Sequence, residues 1–287
     1  MARVVDLLGN GPTFSFEFFP PKNDAEQARL ETTIRDLEPL GPSFVSVTYR
    51  GGRSSRERTT SVVLDIIRTT RITAMPHLTC VAHSRDELVE IVQTFKQEGV
   101  ENLLALGGDP VEGEPEGELA YAIELVELAR GLGAACVGVA AHPAGHPRSP
   151  DIATDRRRLA AKLELADFAI TQFFFRVEEY IRLRDELAAL GIHKPVLAGI
   201  MPITNLNSIR RMSEMAGYEV PDDVVARISA VEEDPAEVRR VGIEMAGKLS
   251  HDLLEAGAPG LHFYTLNQST ATREIFRSLD LAPRPSS

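Results

Sequence analysis

Phe14-Ser15-Phe16-Glu17-Phe18-Phe19 alternates bulky apolar side chains with small or charged ones. Successive side chains of a strand point to opposite faces, so Phe14, Phe16 and Phe18 share one face and Ser15 and Glu17 the other. Phe44-Val45-Ser46-Val47-Thr48 repeats the arrangement, with Ser46 and Thr48 together. Working outward, β-rich runs recur at Ala74–Thr79, Val100–Leu106, Ala135–Ala140, Phe168–Phe173, Pro195–Ile200 and Gly260–Leu266. Helical periodicity occupies Asp24–Glu38, Arg58–Thr70, Ser84–Glu98, Glu118–Leu132, Pro150–Ala166, Val177–Leu190, a longer region through 206–257, and Thr270–Leu279. Ser84-Arg85-Asp86-Glu87 reads as a capping box, and Asp234-Pro235 places Pro at a first helical position. Gly99, Gly131, Gly191 and Gly257 stop helices ahead of strands. Eight strand–helix units predict an α/β fold of the (β/α)8 TIM-barrel type. A doubly wound open sheet shares the alternation, but the tally of eight favours the barrel. No low-complexity tract or Ser/Gly linker divides the chain, so residues 1–287 read as a single barrel domain.

The charge balance narrows the partners. Lys and Arg number 31 against 42 Asp and Glu, a net charge of −11, which argues against a broad basic footprint for nucleic acid or an anionic membrane. Asp6 interrupts the apolar start, which makes a poor signal peptide. No run approaches the roughly 18 apolar residues of a membrane span. Cys80 and Cys136 sit in apolar runs and read as small core residues in a reducing compartment. The expectation is a cytoplasmic globular protein with small-molecule ligands.

In a barrel the bulky strand face packs on helices and the polar face points inward. Active sites of this fold lie at the C-terminal strand ends. That rule selects Glu17, Thr48, His77, Gly107–Asp109, His142, Gln172, Pro202 and Asn267 as one rim. A carboxyl flanked by Phe16, Phe18 and Phe19 would lose hydration and suit general-acid work; the plainer alternative is a Glu17 that faces water or pairs with an Arg. Asp109 follows a glycine pair that lets a ligand approach the backbone, or forms an ordinary Asx turn before Pro110. His77 either contacts a ligand or satisfies a backbone group. His142 and His146 are four apart, but Pro143, Gly145 and Pro147 exclude the regular helix that would make them a metal pair. No metal site is expected. P-loop, Rossmann and nucleophile-elbow motifs are absent. Arg156–Arg158 could meet a phosphate but reads as a solvated face, and Glu112–Glu118 reads as an exposed mobile loop near the rim. These residues alone lead to a barrel enzyme with a buried carboxylic acid.

Six strings carry a resemblance. They are Phe14-Ser15-Phe16-Glu17-Phe18-Phe19-Pro20-Pro21-Lys22, Phe44-Val45-Ser46-Val47-Thr48-Tyr49, Pro76-His77-Leu78-Thr79-Cys80, Ala169-Ile170-Thr171-Gln172-Phe173-Phe174-Phe175, Gly199-Ile200-Met201-Pro202-Ile203-Thr204 and His262-Phe263-Tyr264-Thr265-Leu266-Asn267. In this order they resemble the methylenetetrahydrofolate reductase family over almost the whole chain. The resemblance implies a (β/α)8 barrel that reduces 5,10-methylenetetrahydrofolate to 5-methyltetrahydrofolate, with NAD(P)H as electron source and FAD as relay. NADH is preferred to NADPH because no added basic cluster is evident. Glu17 matches the family's general acid, which opens the imidazolidine ring to an iminium. Asp109 matches the acid near both flavin and pterin, and Gln172 the amide that pairs with the pterin edge. Gln268 falls on the substrate side. Thr48, Tyr49, His77, Gly108, His142, His146, Asp155 and Lys162 fall where the family contacts flavin or its phosphates.

The departures cluster on flavin and stacking contacts. Gly107 stands where an Arg is common, His142 and Leu206 where aromatic residues are, Ala161 where some members have a basic residue, and Gln268 where Arg sometimes stands. The loop after Asp109 is also short for the family. Two alternatives follow: the same reduction by direct hydride transfer from NADH in a ternary complex, and a non-catalytic pterin- or flavin-binding barrel. A barrel aldolase is disfavoured because neither Lys22 nor Lys194 falls at a predicted strand terminus. The resemblance leaves a homo-oligomer open, and a chain ending at Ser287 is expected to lack a regulatory domain.

Overall fold

The computed structural model describes residues 1–49, 53–110, 112–113 and 115–279. Eight parallel strands, β1 (Thr13–Phe18), β2 (Phe44–Val47), β3 (Ala74–Thr79), β4 (Asn102–Leu106), β5 (Cys136–Ala141), β6 (Phe168–Thr171), β7 (Val196–Ile200) and β8 (Gly260–Tyr264), close in chain order. β8 pairs back onto β1, with Ser15 opposite His262 and Glu17 opposite Tyr264. The expected barrel is therefore the observed one.

Period-two alternation sorts the strands into two cores. Phe14, Phe16, Phe18, Val45, Val47, Leu78, Val137, Val139, Leu261 and Phe263 face outward and pack with helix residues such as Leu30, Ile66, Leu88, Leu125, Leu183 and Leu253. Inside the barrel, Phe44, Met75, Leu104, Cys136, Phe168, Ile170 and Leu197 form a separate apolar layer. Helix α1 (Val4–Leu8), which the sequence reading did not anticipate, closes this layer with Val4, Val5 and Leu8. Asn102 anchors it: Oδ1 accepts the Val4 N–H at 2.7 Å and Nδ2 donates to the Ala2 carbonyl at 2.9 Å. The N-terminal end is thus plugged, which leaves the C-terminal rim as the open end.

The remaining helices are α2 (Asp24–Leu37), α3 (Arg53–Thr69), α4 (Arg85–Gln97), α5 (Ala122–Gly131), α6 (Ile152–Leu165), α7 (Val177–Ala189), α8 (Leu206–Ala216), α9 (Asp222–Ser229), α10 (Pro235–Glu255) and α11 (Thr270–Ser278). The Ser84 capping box is present, Oγ accepting the Glu87 N–H at 3.2 Å and Glu87 Oε2 accepting the Ser84 N–H at 2.9 Å. The long region 206–257 resolves into three helices. Gly217 ends the first in the left-handed conformation at φ +65°, and Asp234 caps the third ahead of Pro235. Cys80 and Cys136 are buried free thiols, and burial pushes both up to about 12. Among the described residues no helix is long and apolar enough to cross a membrane. Glu114 of the acidic loop and the closing residues 280–287 lie outside the described residues.

Candidate active site

Closure of the barrel surrounds Glu17 with side chains from three strands. Its carboxyl is buried, with the residue 8% exposed, and Oε2 lies 3.3 Å from His262 Nε2 and 3.5 Å from His77 Nε2. His262 is fully buried; its Nδ1 is 2.7 Å from Ser15 Oγ, and Ser46 Oγ lies 3.4 Å from its Nε2. The imidazole stacks on Phe44 at 6.1 Å between centroids and meets Tyr264 edge-on at 5.4 Å. Tyr264 donates its hydroxyl to the Thr171 carbonyl at 2.6 Å, and burial, reinforced by the Glu17 charge, holds the phenol well above its ordinary value. Burial pushes His77 down to about 4 despite the attraction of Glu17, so this imidazole is neutral at pH 7.

These neighbours correct one expectation. Glu17 is buried, but not among the phenylalanines that flank it in the chain. Phe16 and Phe18 point to the helices because adjacent strand residues occupy opposite faces. Imidazoles, hydroxyls and a phenol line the carboxyl instead. Thr48 Oγ1, His77 Nε2 and Thr79 Oγ1, on neighbouring β2 and β3 ends, are buried with no hydrogen-bond partner among the described residues. The 3.5 Å approach of His77 to Glu17 is within ion-pair reach but does not make a hydrogen bond. Buried polar atoms are normally satisfied, so this corner is suited to a polar ligand.

Tyr49 belongs to the outward core, and its hydroxyl lies 2.7 Å from His83 Nε2. Asp109 is far from buried: its side chain is 93% exposed, with Arg148 Nη2 3.6 Å from Oδ1. The same guanidinium donates to the Gly108 carbonyl at 2.9 Å. Gly108 has φ +81°, and a Cβ there would strike Val81 Cγ1 at 2.6 Å, so backbone conformation and packing both call for glycine here. Gly107 contributes no side chain.

The segment after β5 is a turn, as its prolines and glycine dictate, and the His142 and His146 rings meet edge-on at 4.6 Å. Burial pushes His142 down to about 3 and also lowers His146. Asp155 accepts the His146 N–H at 3.1 Å and the Ser149 hydroxyl at 3.2 Å. Lys162 Nζ donates to the Ala140 carbonyl at 2.9 Å, and burial brings it down to about 8 against the pull of Asp155. Arg156 overturns the solvated-face reading of the Arg156–Arg158 run. It is 3% exposed and donates to Glu186 at 2.6 Å, Asp155 at 2.8 Å and the carbonyls of His142 and Pro143 at 2.9 and 2.6 Å. It braces the turn rather than awaiting a phosphate.

Half-buried Gln172 accepts the Phe173 N–H on Oε1 at 3.0 Å, and Gln268 is exposed. Leu206 packs with Phe173, Met201 and Ile203 beside Tyr264 and Leu266, forming an apolar wall. Asn267 is a staple: Oδ1 accepts the Phe19 N–H at 2.8 Å and Nδ2 donates to the Phe19 carbonyl at 2.9 Å. Sequence reasoning assigned no role to His262, Tyr264 or Arg148. The first two were legible, because they alternate with outward Leu261 and Phe263 on the strand that closure sets beside Glu17. Arg148 carries no such pattern.

The family model described as methylenetetrahydrofolate reductase matches residues 4–280. The 5,10-methylenetetrahydrofolate reductase of Pectobacterium carotovorum subsp. carotovorum is 37% identical over 272 residues, covering 94% of this chain and 90% of its own length. That of Escherichia coli (strain K12) is 35% identical over 272 residues, covering 94% and 91%. Among solved structures, an uncharacterized Clostridium thermocellum protein that binds two copies of 5-methyl-5,6,7,8-tetrahydrofolic acid has the same fold, with a TM-score of 0.68 at 12% identity over 96% of this chain and 97% of its own.

Proposed function

The chain belongs to the methylenetetrahydrofolate reductase family, and from that premise we propose that it converts 5,10-methylenetetrahydrofolate, NADH and a proton to 5-methyltetrahydrofolate and NAD⁺. The observation that carries the proposal is the buried Glu17 carboxyl, held between His262 and His77 at the open end of the barrel. The bridging carbon of the substrate accepts hydride poorly until one C–N bond breaks to leave an iminium. Breaking that bond needs a proton on the departing nitrogen, and Glu17 is the group that supplies it. Gln172 offers an amide to the donor and acceptor edge of the pterin. Leu206, Phe173 and Tyr264 wall the site with apolar surface that excludes water from the iminium. His77, neutral at pH 7, adds no charge that would oppose a cationic intermediate.

FAD is the proposed hydride carrier, and when bound it would take hydride from the dihydronicotinamide and pass it to the folate. Thr48, His77 and Thr79 suit the polar edge of its ring, since they bury atoms without a hydrogen-bond partner among the described residues on adjacent strand ends. A second reading, direct transfer from NADH, is supported by the cations expected near the phosphates. Lys162 and Arg156 both donate to backbone carbonyls, and Gly107 offers no charge. Visible absorbance of the purified protein and turnover with and without added FAD separate the two. Glu17→Gln should lower turnover by about 1,000-fold while folate affinity stays within about 3-fold. Full turnover in that variant removes Glu17 from the chemistry.

A further inference from the structure

We propose that Tyr218 is a positioning residue for the folate: through Glu179 it fixes the segment 172–175 and so the Gln172 amide. This rests on the reading of Gln172 as the group that meets the pterin. Tyr218 and Glu179 lie 39 residues apart in the chain, and two helix ends bring them together. Gly217 closes α8 at φ +65°, and the Tyr218 N–H donates back to the Ser213 carbonyl at 2.9 Å, which sets where the next side chain starts. Glu179 stands in the first turn of α7, where Oε2 accepts the Phe175 and Arg176 N–H groups at 3.3 and 3.2 Å. The Tyr218 hydroxyl donates to the same carboxyl, 2.8 Å from Oε1 and 2.9 Å from Oε2. Burial and this bond both hold the phenol above its ordinary value, so it keeps the hydrogen that it donates.

One half-buried carboxyl therefore ties the end of α8 to the residues that follow β6. Hydrogen bonds to an ionised acceptor are the stronger kind. Arg176 also pairs with Asp223 on α9, but those side chains are 50% and 68% exposed, and such a pair contributes little. Rings carry the tie into the site. Tyr218 lies against Phe175 at 5.8 Å between centroids, Phe175 meets Phe173 at 6.0 Å, and Phe173 meets Tyr264 at 6.3 Å. Gln172 sits in this run with its N–H on the Ala141 carbonyl at 2.8 Å and its Oε1 on the Phe173 N–H at 3.0 Å. The amide thus takes its direction from the backbone at 172–173. That backbone is held at its start by β5 and at its far end by Glu179 and Tyr218. Without the second hold, Phe175 and Phe173 shift and the amide loses its fixed direction.

Isothermal titration with 5-methyltetrahydrofolate and, separately, with NADH measures binding without turnover. Tyr218→Phe keeps the ring on Phe175 and removes only the hydroxyl. It should weaken folate binding about 10-fold and leave NADH binding within about 2-fold of the parent. Glu179→Ala should do the same. Glu179→Gln, which still offers an acceptor oxygen, should return folate affinity to within about 3-fold of the parent. In a Gln172→Ala background, Tyr218→Phe should change folate affinity by less than about 2-fold, because the group it positions is gone. Three outcomes overturn the proposal: parental folate affinity in Tyr218→Phe, equal weakening of folate and NADH, or the full Tyr218→Phe effect persisting without Gln172. A Gln172→Ala variant that binds folate as the parent does would instead overturn the pterin reading of Gln172, a separate result from the Tyr218→Phe titration.

Discussion

Arg156→Ala tests whether the turn that carries His142 and His146 depends on one buried cation. The guanidinium is 3% exposed, and its removal strands two carboxylates, Asp155 and Glu186, together with the His142 and Pro143 carbonyls. Breaking a buried ion pair from one side costs about 3–5 kcal/mol, because the remaining charge stays desolvated. Glu186 is 35% exposed and can rehydrate, whereas Asp155 at 9% cannot, which places the cost toward the lower half of that range. At an unfolding entropy near 2.1 cal/mol/K per residue, that is a fall in Tm of about 5–7 °C for a chain of this size. Turnover should fall as well, since the His142–His146 turn is released. Arg157→Ala is the control: that side chain is exposed and donates to the Thr154 hydroxyl at 2.9 Å, so its loss should change stability by less than about 0.5 kcal/mol. Calorimetry of both variants at neutral pH makes the comparison. A Tm within about 1 °C of the parent for Arg156→Ala would refute the argument, since the buried charges would then not need their partner.

Stability should also depend on pH through the buried imidazoles. The ordinary imidazole takes its proton near 6.5, whereas His77 and His142 resist it until about 4 and about 3 in the folded chain. Between these values the unfolded chain binds more protons, so stability is full above about 6.5 and falls as pH drops, by about 2 kcal/mol per histidine at pH 5. Denaturant midpoints at pH 7 and pH 5 measure the loss, and a flat profile contradicts the burial argument. Gly199→Ala should disturb the site from β7, because its Cβ would meet the Thr171 carbonyl oxygen and lie 2.8 Å from the Tyr264 ring. The expected cost is about 1–3 kcal/mol with loss of the Tyr264–Thr171 bond, read from chemical denaturation. An unchanged midpoint would mean that β7 shifts freely.

How much was legible varied with how locally each feature is encoded. The inward face of β1 and β2, the caps at Ser84 and Asp234, and the break of the His142–His146 spacing follow from neighbours along the chain, and the structure has all of them. The plug α1 was not legible, because five residues with one acidic interruption carry too little periodicity. The brace at Arg156 was not legible either: three consecutive arginines look alike until a turn folds over one of them. Asp109 reads as a rim residue, but its exposure and its pairing with Arg148 depend on how the folded loops meet.

The sequence by itself determined the barrel and the face on which Glu17 lies, since both follow from periodicities of two and 3.6 residues that every strand and helix repeats. Tertiary structure alone decided what Glu17 touches. His77 and His262 are 60 and 245 residues away in the chain, and closure of β8 onto β1 is what brings the second of them alongside. Pairing across such distances depends on the register of a closed sheet. Local pattern selects the face of a strand but not its partner.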